Sequence, residues 1–338
     1  MTKSFLSTVA GCFMSMWSIS VAMGQELPTV KLALDYSIQG QQSPFILAAD
    51  GGYFERAGVK VTVDRGYGSA DSIGKVAAGT YDMAFADLGA MIQFNGRRQA
   101  GNLISVFQVY DDAPMVVMAL KKSGISKPSD LVGKKLASPP AASSRVMFPL
   151  FAAATKLDPS TIQWLDVTPQ LRETMLVQGQ ADASVALITD LAGLDRLNIT
   201  EQDLNVMKYA DYGVNLYGHG IIVKEEYAKA NPEIVKKVIR GFVEALKASI
   251  TDPNLPIAAI KKRDPLVSEQ VERVRLQHVI DAAIVTDHVK KEGLSSVDPA
   301  RMQKTIDTVA SVFKLPAMEV KSTYSAEYLP AKSDLVLK

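Results

Sequence analysis

Short apolar runs alternate with longer helix-period segments along most of this chain, and this alternation limits the fold more than any other feature. Many of the apolar runs are rich in β-branched residues and end at a polar residue, as buried strands do. Parallel strands need a crossover helix between them, and this order supplies one. The sequence therefore predicts an α/β fold with parallel sheets. Strands are expected at residues 30–34, 59–63, 83–86, 115–120, 134–137, 162–167 and 183–187.

Helices are predicted between and after these strands. Two start signals, Asn231-Pro232 and Asp298-Pro299, precede long amphipathic segments late in the chain. After Gly220 few segments have the pattern of a strand, and helices are expected to dominate there. Helical segments are expected at residues 44–56, 71–78, 88–95, 145–156, 169–178, 232–250, 268–285 and 299–313.

The strands fall into two groups, which indicates two lobes. We expect residues 26–112 and 214–338 to form the first lobe and residues 113–213 to form the second, with two crossover strands between them. In open sheets of this kind ligands bind beyond the carboxyl ends of the strands. Polar loops that follow strands are therefore the candidate cleft residues.

The N-terminal segment, residues 1–24, has the pattern of an export signal. Lys3 gives a positive start, an apolar stretch follows, and the small residues Ala22 and Gly24 stand third from last and last before Gln25. Cleavage is therefore expected before Gln25.

Two alternatives compete with cleavage before Gln25. Residues 9–12 fit a lipobox, in which Cys12 would carry a lipid and become the mature N-terminus. The segment could also stay as a transmembrane helix, although repeated serines make it a poor anchor. Each alternative sends the rest of the chain across a membrane, so a periplasmic location is expected.

Charge and cysteine content exclude several classes of function. The chain has 37 Lys and Arg against 36 Asp and Glu, which argues against nucleic acid as a partner. Cys12 is the only cysteine, so cleavage would leave no disulfide or thiolate chemistry. The three histidines, His219, His278 and His288, are too scattered for a zinc helix motif. No metal or other cofactor is expected.

Several short motifs follow one another in a characteristic order: Leu34-Asp35-Tyr36, GYFE at 52–55, GVKV at 58–61, GTYDMA at 79–84, GQADA at 179–183, GHGIIV at 218–223 and NPEIV at 231–235. Together they resemble the exported solute-binding proteins of the nitrate, sulfonate, taurine and thiamine-pyrimidine group. The resemblance covers essentially all of the chain after the signal. It is specific for the fold through the order of the motifs, and much less specific for the solute.

The resemblance implies a two-lobed periplasmic-binding-protein fold of type II that closes around a small solute by hinge motion. Such proteins deliver the solute to an ABC importer, whose permease and ATPase are separate chains. This sequence contains no Walker motif of its own. A monomer without enzymatic activity is expected.

Two other classes of function stay open at this point. A solute sensor that docks to a membrane receptor would show the same sequence features as a transport protein. A pyrimidine synthase shares the fold, but it depends on a cysteine-rich iron motif that this chain lacks. A serine hydrolase is disfavoured because no G-x-S-x-G elbow occurs.

Polar and aromatic residues that follow strands are the candidates for solute binding. Tyr36 and Tyr67 follow the first two strands, where a ring can stack on a planar ligand while its hydroxyl forms a hydrogen bond. Asp87, after the third strand, either binds a ligand amine or caps the next helix. The full set is Tyr36, Gln39, Tyr67, Asp87, Ser138, Ser143, Ser144, Arg145, Thr189, Asp190 and Tyr212.

The loop at residues 138–145 is the strongest candidate in this set. It leads from a strand into a helix start, where free backbone N–H groups favour an anion or a carbonyl oxygen. Ser143 and Ser144 add hydroxyls, and Arg145 can pair with a carboxylate or sulfonate. Simple capping by the serines, with Arg145 in solvent, is the alternative.

The nature of the solute is less constrained than the fold. Tyrosines and aspartates at strand ends favour a pyrimidine-like or other heteroaromatic solute. Arg145 favours an organic anion such as a sulfonate, taurine, nitrate or an aromatic carboxylate. The heteroaromatic solute is ranked first.

Overall fold

The computed structural model describes residues 26–97 and 102–337. The expected signal at 1–24, the cleavage site before Gln25 and the alternative lipid site at Cys12 lie outside the described residues. Within the two described ranges, no helix combines the length and the apolar character needed to cross a membrane.

Ten strands in the described ranges form two five-stranded sheets. They are β1 (Thr29–Ala33), β2 (Lys60–Asp64), β3 (Met83–Asp87), β4 (Leu103–Gln108), β5 (Met115–Leu120), β6 (Lys135–Ser138), β7 (Gln163–Asp166), β8 (Ala183–Leu187), β9 (Leu204–Lys208) and β10 (His219–Lys224). The first sheet has the order β2-β1-β3-β10-β4, and the second has the order β7-β6-β8-β5-β9. The predicted α/β class is confirmed.

Both sheets are mixed rather than purely parallel. In the first sheet β1 is parallel to β2 and β3, whereas β10 is antiparallel to β3 and β4. In the second sheet β6 is parallel to β7 and β8, whereas β5 is antiparallel to β8 and β9. The antiparallel strands β5 and β10 each enter directly from the other sheet. They therefore start at the edge where the parallel strands end, as the pairs His219–Asp87 and Met115–Leu187 indicate.

Most predicted helices are present, with changed ends. They are α1 (Ser43–Asp50), α2 (Tyr53–Arg56), α3 (Ser69–Ala78), α4 (Leu88–Gly96), α5 (Ser143–Val146), α6 (Phe148–Thr155), α7 (Arg172–Val177), α8 (Glu225–Ala230), α9 (Pro232–Thr251), α10 (Asn254–Arg263), α11 (Glu269–Val279), α12 (Asp287–Glu292), α13 (Pro299–Phe313) and α14 (Lys332–Leu335). A π-helical turn follows α11.

Two predicted helices are each divided into two shorter helices. The helix expected at 44–56 is split into α1 and α2, because Gly52 adopts a left-handed φ of 73°. The helix expected at 145–156 starts earlier, at Ser143, and is split into α5 and α6. Pro149 lies in the first turn of α6. Because proline has no backbone N–H, it cannot extend the hydrogen bonds of α5. Helices α8, α10, α12 and α14 and strands β4, β9 and β10 were not predicted.

Two segments of chain connect the sheets, and they run side by side. The Ala113 N–H donates to the Leu216 carbonyl at 3.0 Å, and the Gly218 N–H donates to the Tyr110 carbonyl at 3.0 Å. One hydrophobic cluster also contains residues from both sheets. The lobe boundaries at residues 112 and 213 stay a prediction.

Candidate ligand-binding site

Loops from both sheets line a small cavity. The first sheet contributes residues that follow β1 and β2, and the second contributes residues that follow β6 and β8 together with the first residue of α7. This is the edge where ligands bind in α/β sheets. The lining residues are Asp35, Tyr36, Gln41, Gly68, Ser69, Ala142, Ser143, Ser144, Arg172, Leu187 and Asp190.

Of the predicted site residues, Tyr36, Ser143, Ser144 and Asp190 line this cavity. Tyr36 is 8% exposed. Burial raises the pKa of its hydroxyl far above the usual range, although the charge of Arg172 opposes this. The phenol is therefore neutral and can donate or accept a hydrogen bond.

Two other predicted residues lie outside the cavity wall. Tyr67 is 56% exposed, and its ring lies beneath the side chains of Arg65 and Lys75. Gln39 lies in a neighbouring groove, where its Oε1 accepts a hydrogen bond of 3.0 Å from the cavity residue Gln41.

Three further candidates are turned into the protein. The Ser138 hydroxyl is buried and donates to the Val185 carbonyl at 2.9 Å. Thr189 is buried, and its hydroxyl has no partner among the described residues. The ring of Tyr212 packs edge-on against Phe151, with 5.3 Å between the centroids. None of the three lines the cavity.

Arg145 does not reach the cavity either. Its Nη1 donates to Asp166 Oδ1 at 2.6 Å and to the Ser138 carbonyl at 2.9 Å. The guanidinium carbon lies 4.5 Å from the centre of the Trp164 ring. These contacts hold the loop 138–145 against β7, and the expected pairing of Arg145 with an anionic solute has no support in this geometry.

A buried polar cluster lies behind the cavity wall. Asp87 caps α4, because its Oδ1 accepts the Ala90 N–H at 2.8 Å, and the Asp87 N–H donates to Ser69 Oγ at 3.1 Å. His219 Nε2 lies 3.2 Å from Asp35 Oδ2 and 3.3 Å from Ser69 Oγ. The cluster thus connects two cavity residues, Asp35 and Ser69, to the end of β3 and the start of β10.

The charges in this cluster are coupled. Burial raises the pKa of Asp87 to about 6, against the charge of His219, which lowers it. Burial lowers the pKa of His219, but the hydrogen bond and charge of Asp35, together with the charge of Asp87, outweigh it and raise that pKa above 6.5. Asp35 and Ser69 approach the same ring nitrogen of His219. A catalytic triad places its carboxylate and its hydroxyl at opposite ring nitrogens. The cluster therefore lacks the geometry of a triad.

A second buried network forms the wall supplied by the second sheet. Arg172 has a side chain only 3% exposed and pairs with Asp190 at 2.7 Å and with Glu173 at 2.9 Å. Asp190 Oδ2 also accepts the Leu187 N–H at 2.9 Å, and its Oδ1 lies 3.4 Å from Nη1 of Arg275 on α11. The carboxylates offset both guanidinium charges, so this wall is not a cationic site.

Three polar atoms of the cavity residues have no protein partner among the described residues. They are the Tyr36 hydroxyl, Gln41 Oε1 and Arg172 Nε. A buried polar atom without a hydrogen bond is costly, so each is a candidate partner for a polar ligand atom or a water. The described residues contain no group of His, Cys, Asp and Glu side chains that could hold a metal ion.

Sequence reasoning missed several cavity residues, among them Gln41, Ser69 and Arg172. Ser69 and Arg172 are the first residues of α3 and α7, the helices that follow β2 and β7. The rule that ligands bind after strands could have found both. Gln41 lies in the 3₁₀ turn Gly40–Gln42 and carries no such signal. Asp35, which follows β1 closely, also lines the cavity.

Two relatives share sequence with this chain. It is 25% identical over 231 residues to the riboflavin-binding protein RibY of Chloroflexus aurantiacus, a match that covers 68% of this chain and 64% of the relative. It is 23% identical over 231 residues to the formylaminopyrimidine-binding protein of Halalkalibacterium halodurans, covering 68% of this chain and 69% of the relative. The chain therefore spans less than two thirds of the length of the first relative.

A solved structure and a family model extend these matches. The periplasmic aliphatic sulphonate binding protein SsuA from Escherichia coli matches 87% of this chain and 96% of its own, with a TM-score of 0.65 and 18% identity. This likeness confirms the periplasmic-binding-protein fold. The family model described as NMT1/THI5 like matches residues 39–255, a range that includes the cavity residues from Gln41 to Asp190. Because that match covers more than half of the sequence, the chain belongs to the NMT1/THI5-like family.

Proposed function

We propose that this chain is a binding protein that captures a small heteroaromatic solute in the cavity between its two sheets. The observation that carries the proposal is the set of buried polar atoms without protein partners on this cavity: the Tyr36 hydroxyl, Gln41 Oε1 and Arg172 Nε. They offer a donor and acceptors to the edge of a planar ring. Both relatives carry the names of heteroaromatic ligands, riboflavin and formylaminopyrimidine.

The charges around the cavity favour a neutral solute over an anion. Arg172 already has two carboxylate partners, Asp190 and Glu173, at 2.7 and 2.9 Å. An anion would have to compete with both, and it would also face the Asp35 carboxylate on the opposite wall. Like charges in a poorly solvated site are costly. An organic anion is the second candidate, supported by the unpartnered Nε–H of Arg172.

Of the residues chosen from the sequence, Tyr36, Ser143, Ser144 and Asp190 belong to the proposed site. We assign Gln41, Ser69 and Arg172 to it as well, because they line the same cavity. Residues 26–112 with 214–338, and residues 113–213, would act as two lobes that close over the solute. The paired connecting segments would serve as the hinge.

Delivery to an ABC importer is part of the same proposal. The permease and the ATPase would be separate chains, and the solute-loaded protein would dock on them as a monomer. This places the chain in the periplasm after removal of residues 1–24. The binding role, rather than an enzymatic one, is supported by the names of both relatives.

Isothermal titration calorimetry with five probes tests the proposal: formylaminopyrimidine, riboflavin, ethanesulfonate, taurine and nitrate. We expect one of the two heteroaromatic probes to bind most tightly. Tyr36→Phe should weaken that binding about 2- to 10-fold, since one neutral hydrogen bond contributes about 0.5–1.5 kcal/mol. Tyr67→Phe is the matched control, because Tyr67 lies outside the cavity, and it should bind like the wild type.

Tight binding of a sulfonate or nitrate instead would establish the second candidate. A loss of affinity in Tyr67→Phe with none in Tyr36→Phe would contradict the assignment of the cavity. If none of the five probes changes the heat signal, the proposed solute class is wrong.

A further inference from the structure

Helix α11, from a distant part of the chain, contributes a buried arginine to the ion-pair network of Arg172 and Asp190. Arg275 is 1% exposed. Its Nη1 lies 3.4 Å from Asp190 Oδ1, and its Nε lies 3.6 Å from Glu272, one turn earlier on α11. Arg275 does not line the cavity itself, but its partner Asp190 does.

The same turn of α11 also forms a hydrogen bond to the opposite side of the cavity. The Gly40 N–H, which lies in the chain after β1, donates to Glu272 Oε2 at 2.6 Å. A Cβ atom at Gly40 would lie only 1.9 Å from the Glu272 carbonyl oxygen, so the chain approaches α11 as closely as a backbone can. Glu272 therefore holds α11 to the first sheet, while Arg275 reaches the second.

A glycine beside the second sheet leaves room for the Arg275 side chain. A Cβ atom at Gly193, in the turn after β8, would lie 2.5 Å from Arg275 Nη2. A side chain at Gly193 would therefore displace the guanidinium from its present position. The result is a continuous chain of polar contacts across the cleft, from Gly40 through Glu272, Arg275 and Asp190 to Arg172.

We propose that Arg275 is a positioning residue for solute binding, which rests on the proposed function. Its ion pair with Asp190 spans the two proposed lobes and exists only when they are closed. In the closed form it orients the Asp190 carboxylate, and through it Arg172, on the cavity wall. Arg275 would thus act on the lifetime of the bound state without touching the solute.

Arg275 is one of two guanidinium groups that offset the buried carboxylates of this network. Removing Arg275 would leave Arg172 alone against the carboxylates of Asp190, Glu173 and Glu272, and such an imbalance is strongly unfavourable in a buried place. In the open form, the Asp190 and Glu272 carboxylates can be solvated separately. Loss of Arg275 should therefore penalise the closed form alone. Such a change raises the dissociation rate constant more than it lowers the association rate constant.

Stopped-flow measurements with formylaminopyrimidine and riboflavin test this in Arg275→Met. We expect the dissociation rate constant to rise at least about tenfold, with the association rate constant nearly unchanged. Arg275→Lys should recover part of the loss, because it keeps the charge. Gly193→Ala should resemble Arg275→Met, because it displaces the guanidinium without removing it. Arg56→Met, which removes an exposed arginine, is the control.

A second measurement needs no solute. In a Cys12→Ser background, spin labels on cysteines that replace the exposed residues Glu55 and Lys122 report the distance between the proposed lobes. Double electron–electron resonance should show a population with a short distance between the labels. This population should be smaller in Arg275→Met and in Gly193→Ala than in the wild type. If neither probe binds the wild type but this population still falls, the solute class is wrong and the role of Arg275 stands. Identical distances and dissociation rates in wild type and both variants would overturn it.

Discussion

Replacing Asp87 by Asn should make the protein more stable near neutral pH, and the gain should disappear in acid. The Asp87 side chain is wholly buried, and its Oδ2 has no partner among the described residues. Burial raises the pKa of this carboxyl from 3.8 to about 6. Asn caps helices as well as Asp does, so the hydrogen bond to the Ala90 N–H can be kept.

The magnitude follows from the two pKa values of Asp87. The folded protein keeps the proton up to about pH 6, whereas the unfolded chain releases it near pH 3.8. Between these values the folded state binds more protons, so the free energy of unfolding falls as the pH rises. A pKa difference of this size corresponds to about 3 kcal/mol. Asp87→Asn should therefore gain about 3 kcal/mol over the wild type between about pH 4 and 6.

His219 is the other titrating group beside Asp87. Burial lowers its pKa, but Asp35 and, to a smaller extent, Asp87 raise it above 6.5. The imidazole is therefore protonated below about pH 6 in the folded wild type, and it is also protonated in both unfolded chains there. The variant keeps Asp35, so below about pH 6 the difference in stability reports mainly the proton on Asp87.

Urea unfolding at about pH 4, 5, 6 and 7, followed by fluorescence and circular dichroism, measures this difference. Asp298→Asn is the control, because Asp298 caps α13 by accepting the Arg301 N–H at 2.7 Å while its carboxylate is exposed. That change removes no buried charge. If the curves for wild type and Asp87→Asn run parallel from pH 4 to 7, the reasoning about burial is refuted.

Two further predictions concern the loop after β6 and the N-terminus. Arg145→Ala should lower the free energy of unfolding by about 1–2 kcal/mol, since the ion pair with exposed Asp166 and the stacking on Trp164 are lost. Arg145→Ala should leave the solute affinity measured by calorimetry unchanged. A large loss of affinity would show that Arg145 belongs to the binding site. Mass spectrometry of the exported protein should find Gln25 at the N-terminus, and an acylated Cys12 would contradict the expected cleavage.

Much of the fold was predictable because buried strands carry local signals. The strands β1, β2, β3, β5, β6, β7 and β8 appear in the sequence as apolar runs with turn residues at their ends. The buried strand β5 is apolar along its length, and the half-buried strands β1 and β2 alternate exposed and buried residues, so both patterns are local. Strand direction has no such local signal, so the antiparallel course of β5 and β10 became visible only in the sheets.

The candidate site was only partly predictable, as two arginines show. Arg145 and Arg172 both follow strands of the second sheet, and the sequence pattern pointed to Arg145. In the structure Arg145 turns to Asp166 on β7, whereas Arg172 turns to Asp190 on the cavity wall. Which way a long side chain turns depends on partners supplied by other segments, and no spacing in the sequence records it.

Local sequence patterns were sufficient to predict the α/β class, the order of most strands and the general place of the site after the strands. These features depend on periodicity and on turn chemistry, which act over a few neighbouring residues. Long-range packing, by contrast, fixes which polar groups face one another across the cavity. Gly40 and Asp190 meet the same turn of α11 because that helix packs between loops far apart in the chain, and buried charges persist only where such distant partners meet.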